Sequence, residues 1–115
     1  MRIKIIIGKI TVFAKLNDSR TAKWIWHSLP IASKAELWGE EVYFSIEPKI
    51  GIEKGCAHDT IEPGDLAYWP QGPSMCLFFG KVKPASTVNV FGKIEGDLSV
   101  LAAAKEGELV KVDRA

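Results

Sequence analysis

The sequence predicts a mainly β domain, a closed or nearly closed antiparallel barrel of about eight short strands with two short α-helices covering its open ends. Three observations predict this fold. Apolar and polar side chains alternate in several short segments, which is the period of a half-buried strand. Residues typical of turns, mainly glycine, proline, asparagine and aspartate, separate those segments. Only two segments repeat apolar residues at helical spacing, and they lie near the two ends of the chain.

The chain begins with a predicted hairpin. Isoleucines alternate along residues 3–7, and apolar residues alternate again along residues 10–16. Gly8 and Lys9 between them are suited to a tight turn, which makes the two strands antiparallel neighbours.

A helix is predicted to follow this hairpin. Asp18 or Ser19 is expected to cap it, because a short side chain with an oxygen can accept a hydrogen bond from a free N–H of the first turn. Pro30 is expected to end the helix, since proline cannot continue the backbone hydrogen bonding. Four apolar residues share one helical face: Ala22, Ile25, Trp26 and Leu29.

The middle of the chain is less regular. Residues 35–37 predict a short strand, and residues 41–46 alternate cleanly and predict another, with a turn or bulge between them. Residues 47–63 contain prolines and glycines and predict a loop. One short strand is expected within that loop, around residues 50–52 or 56–58.

The most informative segment is residues 64–80. A turn glycine, a strand that ends in Tyr68 and Trp69, a Gly-Pro turn and a second strand that ends in Phe78 and Phe79 predict a β-hairpin. Because those aromatic residues cluster at its ends, the hairpin is expected to bring several aromatic side chains together.

The last third of the chain predicts a loop, two strands and a helix. Residues 81–86 form the loop and residues 88–94 a strand. Asp97 is expected to cap a second helix that ends at Gly107, and residues 109–112 form the closing strand.

Composition limits the classes of function. The chain has 115 residues, 47% of them hydrophobic, which suits a single domain, residues 1–115, with a core of its own. A net charge of +1 without a basic stripe gives no support to nucleic-acid or membrane-surface binding. No apolar run approaches the ~20 residues that span a bilayer, so we expect a cytoplasmic protein. Charged residues are mostly Lys and Glu, with few Asn and Gln, a bias typical of thermophile proteins.

The sequence predicts no metal site and no cofactor. Cys56, His58 and Asp59 lie close together in sequence, but they supply at most three ligands, and Cys76 would have to come from another strand. Two buried thiols are expected for the two cysteines; a disulfide stays open if the source is a hyperthermophile. No glycine-rich phosphate loop is present.

Three segments resemble the cyclophilins, the peptidyl-prolyl isomerases, in the same order. Residues 9–29 resemble their second strand and first helix. Residues 64–80 resemble their Gly-x-Leu-Ser-Met-Ala-Asn…Gly-Pro…Gln-Phe-Phe hairpin in a shortened form. Residues 88–101 resemble their Val-Val-Phe-Gly-Lys-Val…Gly strand and the helix after it. The resemblance implies an eight-stranded barrel capped by two helices.

The chain is also similar to a group of compact, uncharacterised cyclophilin-like proteins of bacteria and archaea. The shared motifs are Thr21-Ala22, Trp-Gly-x-Glu-Val-Tyr-Phe at residues 38–44 and Gly-Asp-x-Ala-Tyr-Trp-Pro at residues 64–70.

The resemblance implies prolyl isomerase chemistry, but the residue that would perform it is missing. In cyclophilins an arginine donates hydrogen bonds to the prolyl amide. The matching region, residues 35–44, has no arginine and carries Glu40 and Glu41, whose carboxylates cannot donate. We therefore predict no catalytic residue, and weak or absent isomerase activity.

An aromatic pocket is predicted where the cyclophilin groove would be. Tyr and Trp suit such a site because each has a flat apolar face and one polar group. By the resemblance, Leu77 stands where the groove glutamine would be, and Phe79 matches the groove phenylalanine. The candidate ligand-binding residues are Trp38, Glu41, Tyr43, Tyr68, Trp69, Leu77 and Phe79.

Several functions stay open for these residues. The first is a binding module for a small molecule or a short peptide. The second is an enzyme, either a weak peptidyl-prolyl isomerase or one that uses Glu41 or Asp65. The third is a structural or assembly protein. For any single aromatic residue, filling the small barrel is the more common role.

Overall fold

A computed structural model describes all residues, 1–115. It contains ten strands, one α-helix and one 3₁₀ helix. The strands are β1 (Arg2–Ile7), β2 (Ile10–Leu16), β3 (Ile31–Lys34), β4 (Glu36–Trp38), β5 (Glu41–Ser45), β6 (Ala57–His58), β7 (Asp65–Trp69), β8 (Ser74–Phe78), β9 (Val88–Ile94) and β10 (Leu109–Arg114). The helices are α1 (Arg20–Ser28) and the 3₁₀ helix (Leu98–Ala103).

All strand pairs are antiparallel, and nine strands follow one another in the order β3-β10-β1-β2-β9-β7-β8-β5-β4, with β6 added on β9. The two outer strands, β3 and β4, are consecutive in the chain and interrupted only at Ala35. The first pairs with β10 and the second with β5, so this bent segment joins the two edges of the sheet. The Ser33 hydroxyl donates to the Ser45 carbonyl across the remaining gap, at 2.7 Å. The predicted nearly closed antiparallel barrel is confirmed.

The core lies inside the barrel and follows the alternation of the strands. Ile3, Ile5 and Ile7 are fully buried, and each fully buried side chain of this size contributes about 1.5–3 kcal/mol to the free energy of unfolding. Helix α1 packs Ala22 and Ile25 onto the same core cluster. The barrel therefore closes on an interior of aliphatic and aromatic side chains, with Phe44, Tyr68 and Phe91 the largest of the aromatic ones. Neither helix is long and apolar enough to cross a membrane.

The structure differs from the predicted elements in a few places. Strand β3 was not predicted, because its four residues alternate only between half-buried and exposed and so carry no clear apolar pattern. The C-terminal helix is 3₁₀ rather than α; Asp97 caps it as expected, accepting a hydrogen bond from the Ser99 N–H at 2.9 Å. Ser19, rather than Asp18, caps α1. The short strand in the long loop is β6, not residues 50–52.

Buried polar side chains hold the loop between β5 and β6. The Tyr68 hydroxyl donates to the Pro48 carbonyl at 2.8 Å and accepts from the Ile50 N–H at 3.0 Å. The fully buried Asn89 amide donates to the Gly51 carbonyl at 2.9 Å and accepts from the Glu53 N–H at 2.9 Å. Because buried polar groups are costly unless they are hydrogen-bonded, these bonds fix the loop against the barrel.

Candidate functional site

A second apolar cluster lies on the outer face of the sheet, over β7, β8 and β9. On β8, Met75 and Leu77 belong to the barrel core, whereas Cys76 and Phe78 belong to this outer cluster. The alternation of a strand places neighbouring residues on opposite faces, so one segment serves both clusters. Both faces of β8 are buried, which explains why all five of its residues are inaccessible to solvent.

The outer cluster forms the wall of a cavity of about 190 Å³. Strand register brings the wall together: Trp38 lies opposite Glu41, Glu41 opposite Phe78, and Tyr43 opposite Cys76. Directly opposed side chains lie about 5 Å apart and share one face. Nine residues line the cavity: Trp38, Glu41, Tyr43, Trp69, Cys76, Phe78, Pro84, Ala85 and Val88.

The loop between β8 and β9 covers one side of the cavity and is anchored at two points. The Trp69 indole N–H donates to the Ser86 hydroxyl at 2.7 Å. The Thr87 hydroxyl donates to the Asp59 carboxylate in the neighbouring loop. The first bond holds both the indole ring and the loop that faces it, so the cavity is formed in advance of any occupant.

Glu41 is the one charged residue that lines the cavity, and it is only 8% exposed. Burial raises the pKa of its carboxyl, and a hydrogen bond with the Cys76 thiol opposes that effect. No lysine, arginine or histidine forms an ion pair with it, since the two ion pairs of the protein are Arg2–Glu95 and Lys93–Asp65. Its carboxyl therefore meets an apolar space without a cationic partner.

The Cys76 side chain is held as the protonated, uncharged thiol. Burial raises its pKa well above the ordinary value, and the nearby Glu41 carboxylate raises it further. A thiol that stays protonated is a poor nucleophile. Cys56 is buried as well, and both cysteines are free rather than joined in a disulfide.

The electrostatic field on the Tyr43 side of the cavity is negative. The pKa of Tyr43 is raised by burial and then by the carboxylates of Glu36, Glu106 and Glu41. Glu36 lies directly opposite Tyr43 across the β4–β5 pair. Lys81 and Lys83 of the covering loop are exposed, and neither lines the cavity.

Four of the seven predicted site residues line this cavity: Trp38, Glu41, Tyr43 and Trp69. Tyr68 and Leu77 do not, because alternation turns both into the barrel core, where each is fully buried. Phe79 packs against that same core from its edge, and its N–H donates to the Glu40 carbonyl at 3.0 Å. The structure therefore places these three predicted residues outside the cavity.

Five lining residues were not predicted. Cys76 and Phe78 follow from register: once Glu41 and Tyr43 face outward, their partners on β8 must do so too. Val88 is the first residue of β9 and belongs to the same outer cluster. Pro84 and Ala85 come from an irregular loop, where the sequence carries no periodic signal. Asp65, the other carboxylate considered for chemistry, lies outside the cavity, pairs with Lys93 at 2.5 Å and accepts from the Glu62 N–H at 2.8 Å.

Outside the cavity, the buried Cys56 thiol lies beside Glu53 and Thr21, whose hydrogen bonds hold the start of α1. No group of three or more His, Cys, Asp or Glu could hold a metal ion. Arg2 pairs with Glu95, Arg114 donates to the Trp26 carbonyl, and Arg20 opens α1, so no arginine lines the cavity. A larger cleft of about 600 Å³ runs between α1 and β5, but its one carboxylate, Glu47, is exposed and nothing polar is buried in its wall.

Comparison with known proteins identifies the fold family. The hypothetical protein AF2241 from Archaeoglobus fulgidus has a solution structure that matches this one with a TM-score of 0.84 and 36% sequence identity, covering 100% of this chain and 95% of that chain. The structure of McbB in complex with tryptophan matches with a TM-score of 0.80 and 21% identity, covering 97% of this chain and 44% of that chain, which shows a shared fold. No curated protein matches the sequence. The family model described as cyclophilin-like matches residues 1–113, and the chain therefore belongs to the cyclophilin-like family.

Proposed function

We propose that this protein binds a small molecule, or one side chain of a short peptide, in the cavity over β5, β7 and β8. The observation that carries the proposal is an apolar cavity with one buried carboxyl in its wall. Binding sites combine apolar and aromatic walls with a few fixed polar groups, and Glu41 is such a group among four aromatic rings.

The size of the cavity limits the ligand. Typical pockets for drug-sized molecules have volumes of roughly 300–1,000 Å³, whereas this cavity holds about 190 Å³. An apolar cavity of about 150 Å³ is known to hold benzene. The part of a ligand that enters is therefore about one ring in size, and any larger remainder would lie outside, against the exposed Trp38.

The resident groups support binding rather than acid–base or nucleophilic chemistry. Rotation about a peptide bond has a barrier of roughly 18–20 kcal/mol, and a prolyl isomerase lowers it by donating a hydrogen bond to the prolyl amide. No arginine, lysine or histidine lines this cavity to donate one. We expect a protease-coupled assay on an Ala-Pro peptide to give the uncatalysed rate. A turnover well above background would contradict this expectation and favour isomerase activity over binding alone.

Thermal-shift screening of single-ring compounds and short peptides tests the proposal. Tryptophan belongs in the screen, because a neighbour of the same fold binds it. We expect at least one compound to raise the unfolding midpoint of the wild-type protein. A screen without any stabilising compound, repeated by ligand-observed NMR to detect weak binding, would reject the proposal.

Two exposed tryptophans supply a matched pair of variants. Trp38, at the cavity, is 63% exposed, and Trp24, outside it, is 60% exposed. Trp38→Ala is expected to weaken binding of a compound found in the screen, and Trp24→Ala is expected to leave it unchanged. Equal effects of the two substitutions would place the compound elsewhere.

A further inference from the structure

The charge in the cavity wall indicates which chemical class the site accepts. Glu41 is 92% removed from solvent, has no ion-pair partner and lies in the wall of an apolar cavity. A buried carboxylate is costly unless a charge or hydrogen-bond donors compensate it. The fold supplies only the Cys76 thiol, a weak donor. No solvent-inaccessible side-chain oxygen or nitrogen of the protein lacks a hydrogen-bond partner, so the Glu41 oxygens are open to the cavity. A cationic ligand in the cavity would reach them and supply the ion-pair partner that the fold does not.

The aromatic residues point to the same class. Trp38, Tyr43, Trp69 and Phe78 line the cavity together with Glu41. The faces of aromatic rings carry negative electrostatic potential and attract ammonium groups, with tryptophan the strongest of the three types. An ammonium group in this cavity would meet aromatic rings and one carboxylate.

The surroundings of the cavity add negative charge. The carboxylates of Glu36, Glu106 and Glu41 raise the pKa of Tyr43, and Glu36 lies directly opposite Tyr43 across the β4–β5 pair. Lys81 and Lys83 are exposed on the covering loop and would favour an anion only at the outer surface. The interior of the site therefore favours a positive charge, and the anionic class is left for the experiment to test.

We propose that the ligand carries an ammonium group, seated between Glu41 and the four aromatic rings, on a body about one ring in size. This inference rests on the proposed binding function and specifies its ligand class. A free amine and a lysine side chain of a peptide share this chemistry.

Three single-ring probes of similar size separate charge from size: benzylamine, which is cationic at pH 7, neutral benzyl alcohol and anionic benzoate. Their affinities for the wild-type protein are measured by chemical-shift titration in NMR. A charge-assisted hydrogen bond is about twice as strong as a neutral one, so we expect benzylamine to bind at least about ten-fold more tightly than benzyl alcohol. Benzoate is expected to bind more weakly than either. This comparison needs no variant and so does not depend on whether a mutant folds.

Substitutions then assign the preference to one residue. Glu41→Gln is expected to remove the preference for benzylamine while benzyl alcohol still binds. Glu47→Gln removes one negative charge from an exposed site outside the cavity and is expected to keep the preference. An acetylated, amidated tripeptide with a central lysine distinguishes the sources: tighter binding than benzylamine assigns the site to a peptide-borne ammonium, and weaker binding to a free amine.

The outcomes separate this inference from the proposed function. If benzyl alcohol or benzoate binds as tightly as both ammonium probes, the cavity binds ligands but the cationic class is wrong. If Glu41→Gln keeps the full preference, Glu41 is not its source and the inference is wrong in its central residue. If no probe binds and the screen finds no compound, the binding function itself is rejected.

Discussion

Glu53 is expected to stabilise helix α1 from a loop more than thirty residues further along the chain. Its carboxylate accepts hydrogen bonds from the Arg20 N–H at 3.0 Å, the Thr21 N–H at 2.8 Å and the Thr21 hydroxyl at 2.6 Å. The first-turn N–H groups of a helix have no partner within the helix, and its N-terminus favours negative charge. Glu53→Gln keeps the size of the side chain and removes the charge.

The pKa of Glu53 gives the magnitude. Burial raises it, but the hydrogen bonds from Thr21 and Arg20 outweigh burial and lower the pKa from 4.5 to about 2. At about 1.36 kcal/mol per unit, the full shift corresponds to roughly 3.4 kcal/mol. The side chain is only half-buried, so solvent screening reduces the share that reaches the free energy of unfolding. We expect Glu53→Gln to lower that free energy by about 1–2 kcal/mol at pH 7.

The dependence on pH has a definite sign. A carboxyl whose pKa is lowered in the folded state contributes stability above its ordinary pKa of 4.5, and loses it as the pH falls through the folded value of about 2. The difference between wild type and Glu53→Gln should therefore be full at pH 7, shrink below about pH 5 and disappear near pH 2. Urea unfolding at pH 7, 5 and 3 measures it, with the exposed Glu47→Gln as control. A difference that stays constant over that range would refute the reasoning.

Three further substitutions test other parts of the structure. Tyr68→Phe removes the hydroxyl that holds Pro48 and Ile50, and is expected to lower the free energy of unfolding by about 1–3 kcal/mol in urea while ligand affinity stays unchanged; lost affinity would place Tyr68 at the site after all. Leu77→Ala leaves a core position empty and should lower the free energy of unfolding by about 2–5 kcal/mol in the same measurement. A decrease below about 1 kcal/mol would contradict the assignment of Leu77 to the core. Glu41→Gln is expected to raise the unfolding midpoint at pH 8 but not at pH 4, because a carboxyl with a raised pKa destabilises the fold only where it must ionise. Scanning calorimetry at both pH values measures this, and a midpoint lowered by the substitution at pH 8 would show that Glu41 stabilises the fold.

The barrel was predictable because its strands alternate strongly. Residues 3–7 and 10–16 each carry a clear period of two, and the predicted hairpin at 64–80 formed as β7 and β8. The alternation did not predict β3, which lies at an edge of the sheet. An edge strand that buries no residue fully has no apolar pattern to detect, and it is ordered by pairing with β10, which lies far away in sequence.

The candidate site was predictable only in part, for a different reason. Strand β8 buries both faces, so its run of apolar residues does not reveal which members face the core and which the cavity. Leu77 was chosen by resemblance, and Phe78, its neighbour, proved to line the cavity. Glu41 and Tyr43 were identified because polar and aromatic residues that alternate with Val42 and Phe44 point away from the core. Polarity supplied a signal on β5 that was absent on β8.

Glu41 links stability to the proposed function. Its position on β5 opposes Phe78, on a face where Cys76 and Val88 are buried and apolar, so a neutral side chain would suit that wall better than a carboxyl. No ion pair in the fold uses the charge, and the side-chain hydrogen bond to it comes from a thiol. Residues that weaken a fold without a structural return are concentrated at functional sites, where stability is exchanged for activity. If Glu41→Gln raises the unfolding midpoint and also removes selective binding of an ammonium probe, the two effects have one cause: a carboxyl held without a partner until a ligand provides one.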